Sequence, residues 1–140
     1  TEENVLNIGY CIKISIFLSL LDVHIVRSPI NGKINYLKYN KGKFLCAIKD
    51  KAAIENENII INIKNNIIEI KVKIIAGFIA RRIILYKKIE DFVKDGDKIA
   101  RLLLGSQVQI SIPCNQIKQI RAKKGDIVKA GQTVLCYLDL

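Results

Sequence analysis

The chain has 140 residues, half of them hydrophobic, with 23 Lys plus Arg against 13 Asp plus Glu, a formal net charge of +10. That length holds one domain with a sizeable core and not two of ordinary size. The apolar content excludes a disordered chain, and no apolar run approaches the roughly 20 residues of a membrane helix. No basic segment followed by an apolar stretch and a small-residue cleavage site marks a signal peptide. Ile supplies about one residue in five, whereas Met and Trp are absent, and β-branched side chains fit pleated surfaces better than helix interiors. An all-β domain is expected. Cys11, Cys46, Cys114 and Cys136 form no CxxC pair and have no neighbouring His, so four buried thiols are expected in place of a zinc site or a disulfide framework. The charge implies an anionic partner: nucleic acid, an anionic membrane surface or a phosphorylated substrate.

In chain order, Ile12 to Ile16 alternates apolar and polar, and so do Ile59 to Ile63, Ile68 to Ile74 and Val108 to Ile112. Each predicts a strand with one buried face. The breaks carry turn chemistry: Ser28-Pro29-Ile30-Asn31-Gly32, Asn40-Lys41-Gly42, Asn65-Asn66, Asp95-Gly96-Asp97 and Lys124-Gly125-Asp126. Turns at this spacing describe a sandwich or a barrel-sandwich hybrid with at most one short helix. The segment from Ile75 to Ile84 stays open between strand and short helix. An internal echo runs through the second half: Asp91 to Ile99 matches Asp126 to Val134 at Asp, Val, Lys, Gly and a final β-branched residue, 35 positions apart. A looser third copy lies in Tyr39 to Leu45. The unit is a strand, a glycine turn and a returning strand, typical of lipoyl- and biotinyl-like hairpins, and it specifies a shape without a chemistry.

Two places offer chemistry. His24 is the only histidine, and histidine is the side-chain type whose charge ordinarily changes near neutral pH. On a strand, Asp22 and His24 share a face, so the carboxylate would orient or charge the imidazole; a satisfied core histidine and an exposed turn or strand carboxylate are the competing readings. Ser106 follows Gly105 at the end of Leu102-Leu103-Leu104. A Gly-Ser pair is common in turns, but the glycine permits a strained backbone at which the hydroxyl reaches the preceding carbonyl, as acyl transfer requires.

Several segments together resemble one family. Asp22-Val23-His24-Ile25-Val26-Arg27-Ser28-Pro29-Ile30-Asn31-Gly32 is similar to the D-V-H-x-x-R-x-P-x-x-G signature of the short-form phosphatidylserine decarboxylases. Lys51-Ala52-Ala53-Ile54-Glu55-Asn56-Glu57 resembles their K-A-x-x-E-N-E segment, and Ile75-Ala76-Gly77-Phe78-Ile79-Ala80-Arg81-Arg82-Ile83 their I-A-G-x-I-A-R-R-I. Leu104-Gly105-Ser106 falls at their processing site and Lys124 to Val134 at their terminal hairpin. The matches run in order over nearly the whole chain. Three departures stand beside them: Gln107 replaces the usual Arg after Gly-Ser, no glycine-containing run precedes the site, and the family's N-terminal section is missing, so Thr1 is expected to begin an N-terminally truncated catalytic domain.

The resemblance implies a pyruvoyl enzyme that converts phosphatidylserine to phosphatidylethanolamine in phospholipid biosynthesis. Self-cleavage between Gly105 and Ser106 would give a β chain of residues 1–105 and an α chain of residues 106–140, folded together. The pyruvoyl group formed from Ser106 would serve as the electron sink for the carbanion left by CO2 loss. His24 is assigned as proton donor to that carbanion, with Asp22 as its orienting partner, and Arg81 and Arg82 as the cations for the head-group phosphate. The basic balance then fits an anionic membrane surface, with the protein peripheral at the cytoplasmic face of the cell membrane; homo-oligomer formation stays open. The alternative is a lipoyl-like carrier, for which Lys49 and Lys51 offer no clean single-lysine hairpin. A basic domain for nucleic acid comes last, because only 6% of residues are aromatic and base stacking wants exposed rings.

Overall fold

The structure is a computed structural model that describes residues 2–4, 9–19, 21–22, 24–42, 56–77, 83–102 and 105–140. Arg81, Arg82, Cys46, Lys49, Lys51 and the last part of the third echo copy lie outside the described residues. The described residues form twelve strands: β1 (Glu2–Asn4), β2 (Tyr10–Leu18), β3 (Ile25–Arg27), β4 (Gly32–Asn40), β5 (Asn58–Lys64), β6 (Glu69–Ala76), β7 (Ile83–Leu85), β8 (Phe92–Val93), β9 (Lys98–Leu102), β10 (Ser106–Pro113), β11 (Ile117–Ile120) and β12 (Cys136–Leu138). Among the described residues one short 3-10 turn, Cys114–Gln116, is the only helical element. The expected all-β sandwich is the observed one.

Seven strands form a large antiparallel sheet in the order β1-β2-β10-β6-β5-β4-β8, and β3-β9-β7 form a smaller one. β11 and β12 pair as a separate ribbon. The core lies between the two larger sheets: Ile61, Ile63 and Ile74 from one meet Val26, Ile99 and Leu102 from the other in a single buried cluster. Residues two apart along a strand face the same way, so the alternation in β5 and β6 supplies one apolar face to this cluster. Ile75 and Ala76 continue β6, and Ile83 opens β7, which settles the ends of the segment left open by the sequence as strand.

β10 departs from the expected one-sided strand. Val108 and Ile112 face the core, yet Gln107, Gln109 and Ser111 on the opposite face are buried as well. The reason is position: β10 is flanked by β2 and β6, and its outer face looks into a groove of about 1440 Å³ walled on the far side by residues 120–135. The thiols are also less uniform than expected. Cys11 is fully buried, whereas Cys114 and Cys136 are half-buried, and none of the three forms a disulfide among the described residues.

Gly32 shows why the turn before β4 needs a glycine. A Cβ there would stand 2.6 Å from the Lys64 carbonyl oxygen, a backbone approach that no side chain permits. The neighbouring residues knit the two sheets together. Arg27 donates to the Gly96 carbonyl at 2.8 Å, and the Asn31 side-chain oxygen accepts from the Asp95 N–H at 2.7 Å. Much of the Asp22–Gly32 segment is therefore architectural.

Candidate active site

The chain crosses from the small sheet to the large one between Leu102, the last residue of β9, and Ser106, the first of β10. Gly105 makes this crossing in the left-handed region, with φ of +62°, where a side chain would cost about 1–2 kcal/mol. Ser106 then enters the large sheet between Leu18 of β2 and Ala76 of β6. It shares the core-facing side of β10 with Val108 and Ile112, and it is 2% exposed. Its Oγ has no hydrogen-bond partner among the described residues. An unpartnered buried hydroxyl costs about 1–3 kcal/mol, so its placement calls for an explanation other than stability.

His24 is brought to the same crossing by strand pairing. Ile25 of β3 lies opposite Arg101 of β9, and the Leu102 N–H donates to the His24 carbonyl at 2.8 Å, extending the ladder by one step. The side chain then reaches the glycine: the Gly105 N–H donates to His24 Nε2 at 3.1 Å. An imidazole that accepts there directs its lone pair at the backbone N–H of Gly105, the residue immediately before Ser106. Residues 81 positions apart thus meet at one peptide bond.

Asp22 is placed differently from its expectation. It sits in a turn and not on a strand, it is exposed, and its carboxylate accepts the Ser19 N–H at 2.7 Å. That bond holds the Asp22 carboxyl below the usual carboxylate range, with attraction to His24 the smallest of the contributions. The carboxylate closes the turn after β2.

Residues to which sequence reasoning gave no role also stand here. Asn56 is fully buried and donates through Nδ2 to the Ala76 carbonyl at 2.7 Å, while the Ala76 N–H donates to the Glu57 carbonyl at 2.9 Å. Ala76 is the residue directly opposite Ser106. Asn58 in turn donates to the Asn56 carbonyl at 2.8 Å. The Asn56-Glu57-Asn58 run therefore fixes the strand end against which Ser106 is registered. Its signal was a cluster of amides and an acid leading into an Ile-rich strand, polar groups that must be paired if buried. Glu57 is itself buried; loss of solvent, and then the Glu57 charge, push the Tyr39 phenol above its ordinary range.

The large groove is not part of this constellation. Gln107 lines it, but Ser106 and His24 do not, because adjacent residues on β10 point to opposite faces.

The sequence model of the phosphatidylserine decarboxylase family matches residues 4–136. The chain belongs to this family. It is 41% identical over 127 residues to the phosphatidylserine decarboxylase proenzyme of Carboxydothermus hydrogenoformans, a match that covers 91% of this chain and 59% of that protein. The phosphatidylserine decarboxylase proenzyme of Amoebophilus asiaticus is 39% identical over 128 residues, covering 91% of this chain and 56% of its own. The putative archaetidylserine decarboxylase proenzyme of Methanocaldococcus jannaschii is 42% identical over 125 residues, covering 89% and 60%. The chain thus spans somewhat more than half the length of the curated relatives it matches. No solved structure matches it.

Proposed function

We propose that this chain is the catalytic portion of a pyruvoyl-dependent phosphatidylserine decarboxylase that processes itself between Gly105 and Ser106. The observation that supports the reading is the crossing itself: a buried Ser106 Oγ without a partner, next to a left-handed Gly105 whose N–H is held by His24. In the first step the Ser106 oxygen attacks the Gly105 carbonyl carbon. The C–N bond breaks, an ester forms and the Ser106 nitrogen becomes an amine. β-Elimination then releases the Gly105 carboxylate, and water replaces ammonia at residue 106.

The residues present fit such a group. Among the described residues no hydrogen bond competes with the attack of the serine oxygen. The pyruvoyl carbonyl supplies an electron sink for decarboxylation. Around it this chain's own residues exclude water through the packed faces of β6 and β10. They fix residue 106 against the Asn56-braced Ala76, and they hold a proton-accepting nitrogen, His24 Nε2, one peptide away. Once released from the Gly105 N–H, that nitrogen would take the hydroxyl proton during cleavage and return a proton to the substrate carbon afterwards. Asp22 contributes by shaping the turn that leads to His24. Arg81 and Arg82 remain the nominees for the phosphate by the family resemblance alone, since they lie outside the described residues. The anionic membrane surface, the peripheral location at the cytoplasmic face and the paired α and β chains belong to the same proposal.

Intact-mass spectrometry tests it. Two fragments dividing after Gly105, the smaller one reactive with carbonyl reagents, are expected, and Ser106→Ala should stay one chain. His24→Ala should slow cleavage by at least tenfold while leaving the fold intact. A single unmodified chain from the full-length protein, or a chain carrying lipoate, would overturn the reading.

A further inference from the structure

Leu21 and Ile127 are the most exposed large apolar side chains among the described residues, at 97% and 93%. Both sit on turns, and both turns border the same groove: Leu18 and Asp22 line it on one side, Ile127 and Val128 on the other. The Leu21 turn joins the end of β2, where Leu18 faces Ser106, to His24. The Ile127 turn belongs to an excursion closed at its base, where the Arg121 and Ala122 N–H groups donate to the Leu135 carbonyl at 2.9 and 3.0 Å. On it Lys123, Lys124 and Lys129 are exposed. Its single acid, Asp126, turns its carboxylate back to the Lys123 N–H at 2.8 Å.

We infer that these two turns form a membrane-docking edge: Leu21 and Ile127 insert among lipid head groups while Lys123, Lys124 and Lys129 engage anionic lipids. Two isolated aliphatic tips offer too little apolar area for a dry protein interface. They suit shallow insertion, in which apolar contact and attraction to anionic lipid act together. The edge rests on the decarboxylase reading, because it sets a lipid substrate beside the turn that carries His24.

The test uses the full-length protein and vesicles of phosphatidylcholine with and without phosphatidylglycerol. Sedimentation should show binding that phosphatidylglycerol strengthens and salt weakens. The Leu21→Ser/Ile127→Ser variant should bind at least tenfold more weakly to both vesicle types. The Lys123→Gln/Lys124→Gln/Lys129→Gln variant should lose about fivefold per lysine on anionic vesicles only. Both variants should keep the parent melting temperature, self-cleavage and turnover of a short-chain phosphatidylserine below its micelle-forming concentration. Vesicle binding equal to the parent's, or a parent that does not bind, overturns the docking edge. Loss of a concentration-dependent dimer in these variants without vesicles would overturn it in favour of a second copy. A parent that binds vesicles but fails to decarboxylate the soluble lipid would sink the decarboxylase reading alone.

Discussion

The two copies of the echo, Asp91 to Ile99 and Asp126 to Val134, together with the turns that lead into them from Lys88 and Lys123, share their turns and differ in almost everything else. In each first turn an aspartate binds the residue three before it twice: the Lys88 N–H donates to the Asp91 carboxylate and the Asp91 N–H to the Lys88 carbonyl, with the same pair between Lys123 and Asp126. Each second turn has a left-handed glycine, Gly96 or Gly131, and a side-chain oxygen on a lysine N–H, from Asp97 in one copy and Thr133 in the other. Yet Val93 and Ile99 are buried while Val134 is 48% exposed. Phe92 and Val93 find a partner in Gly32 and Lys33 and become β8; Ile127 and Val128 pair with no strand among the described residues. Turn chemistry is local and survives without burial, whereas a strand exists only where another strand accepts it.

The contrast predicts its own breaking points. Ile99→Ala should cost about 2–5 kcal/mol, whereas Val134→Ala should stay within about 0.5 kcal/mol. Urea unfolding measures both, and equal losses would contradict the difference in burial. Gly96→Ala and Gly131→Ala should each cost about 1–2 kcal/mol, since neither site has an atom within 4 Å of the added Cβ and the expense is conformational alone. A much larger loss at Gly96 would show that tertiary support extends into the turn. Thr133→Val should cost about 0.5–1.5 kcal/mol by removing the acceptor of the Lys129 N–H.

The smallest effect concerns Asp22, which closes the turn after β2 with the same two bonds to Ser19. Its carboxyl is held below the usual range, so the native state binds this proton less readily than the unfolded chain. Its stabilising contribution is present above the unfolded pKa and fades as pH falls through the lower native one. An NMR titration should find the Asp22 carboxyl and the Ser19 amide moving together below the ordinary carboxylate midpoint, with the amide response lost in Asp22→Asn.

These comparisons show which inferences could be read along the chain. The four alternating segments were legible as β2, β5, β6 and β10, because period-2 patterning depends only on which residues are apolar. The Gly-Ser pair was legible as a place where backbone strain was permitted. The partner of His24 was not. Proximity in sequence favoured Asp22, two residues away, but β3 does not begin until Ile25, so the alternation argument had no strand to act on. The contact actually made, to Gly105, depends on β3 pairing with β9. Asn56 escaped for a related reason: its importance lies in bracing Ala76, and nothing local says that Ala76 faces Ser106.

By itself the sequence determined the β character and the turn positions, because these follow from side-chain type and spacing, and it nominated Ser106 and His24 only through the family resemblance. Only the tertiary structure decided that Ser106 faces inward without a partner among the described residues, that His24 accepts the Gly105 N–H, and that one echo copy is core while the other is surface. Each of those outcomes is set by pairing between strands distant in sequence, and such pairing is decided by the packing of the whole domain.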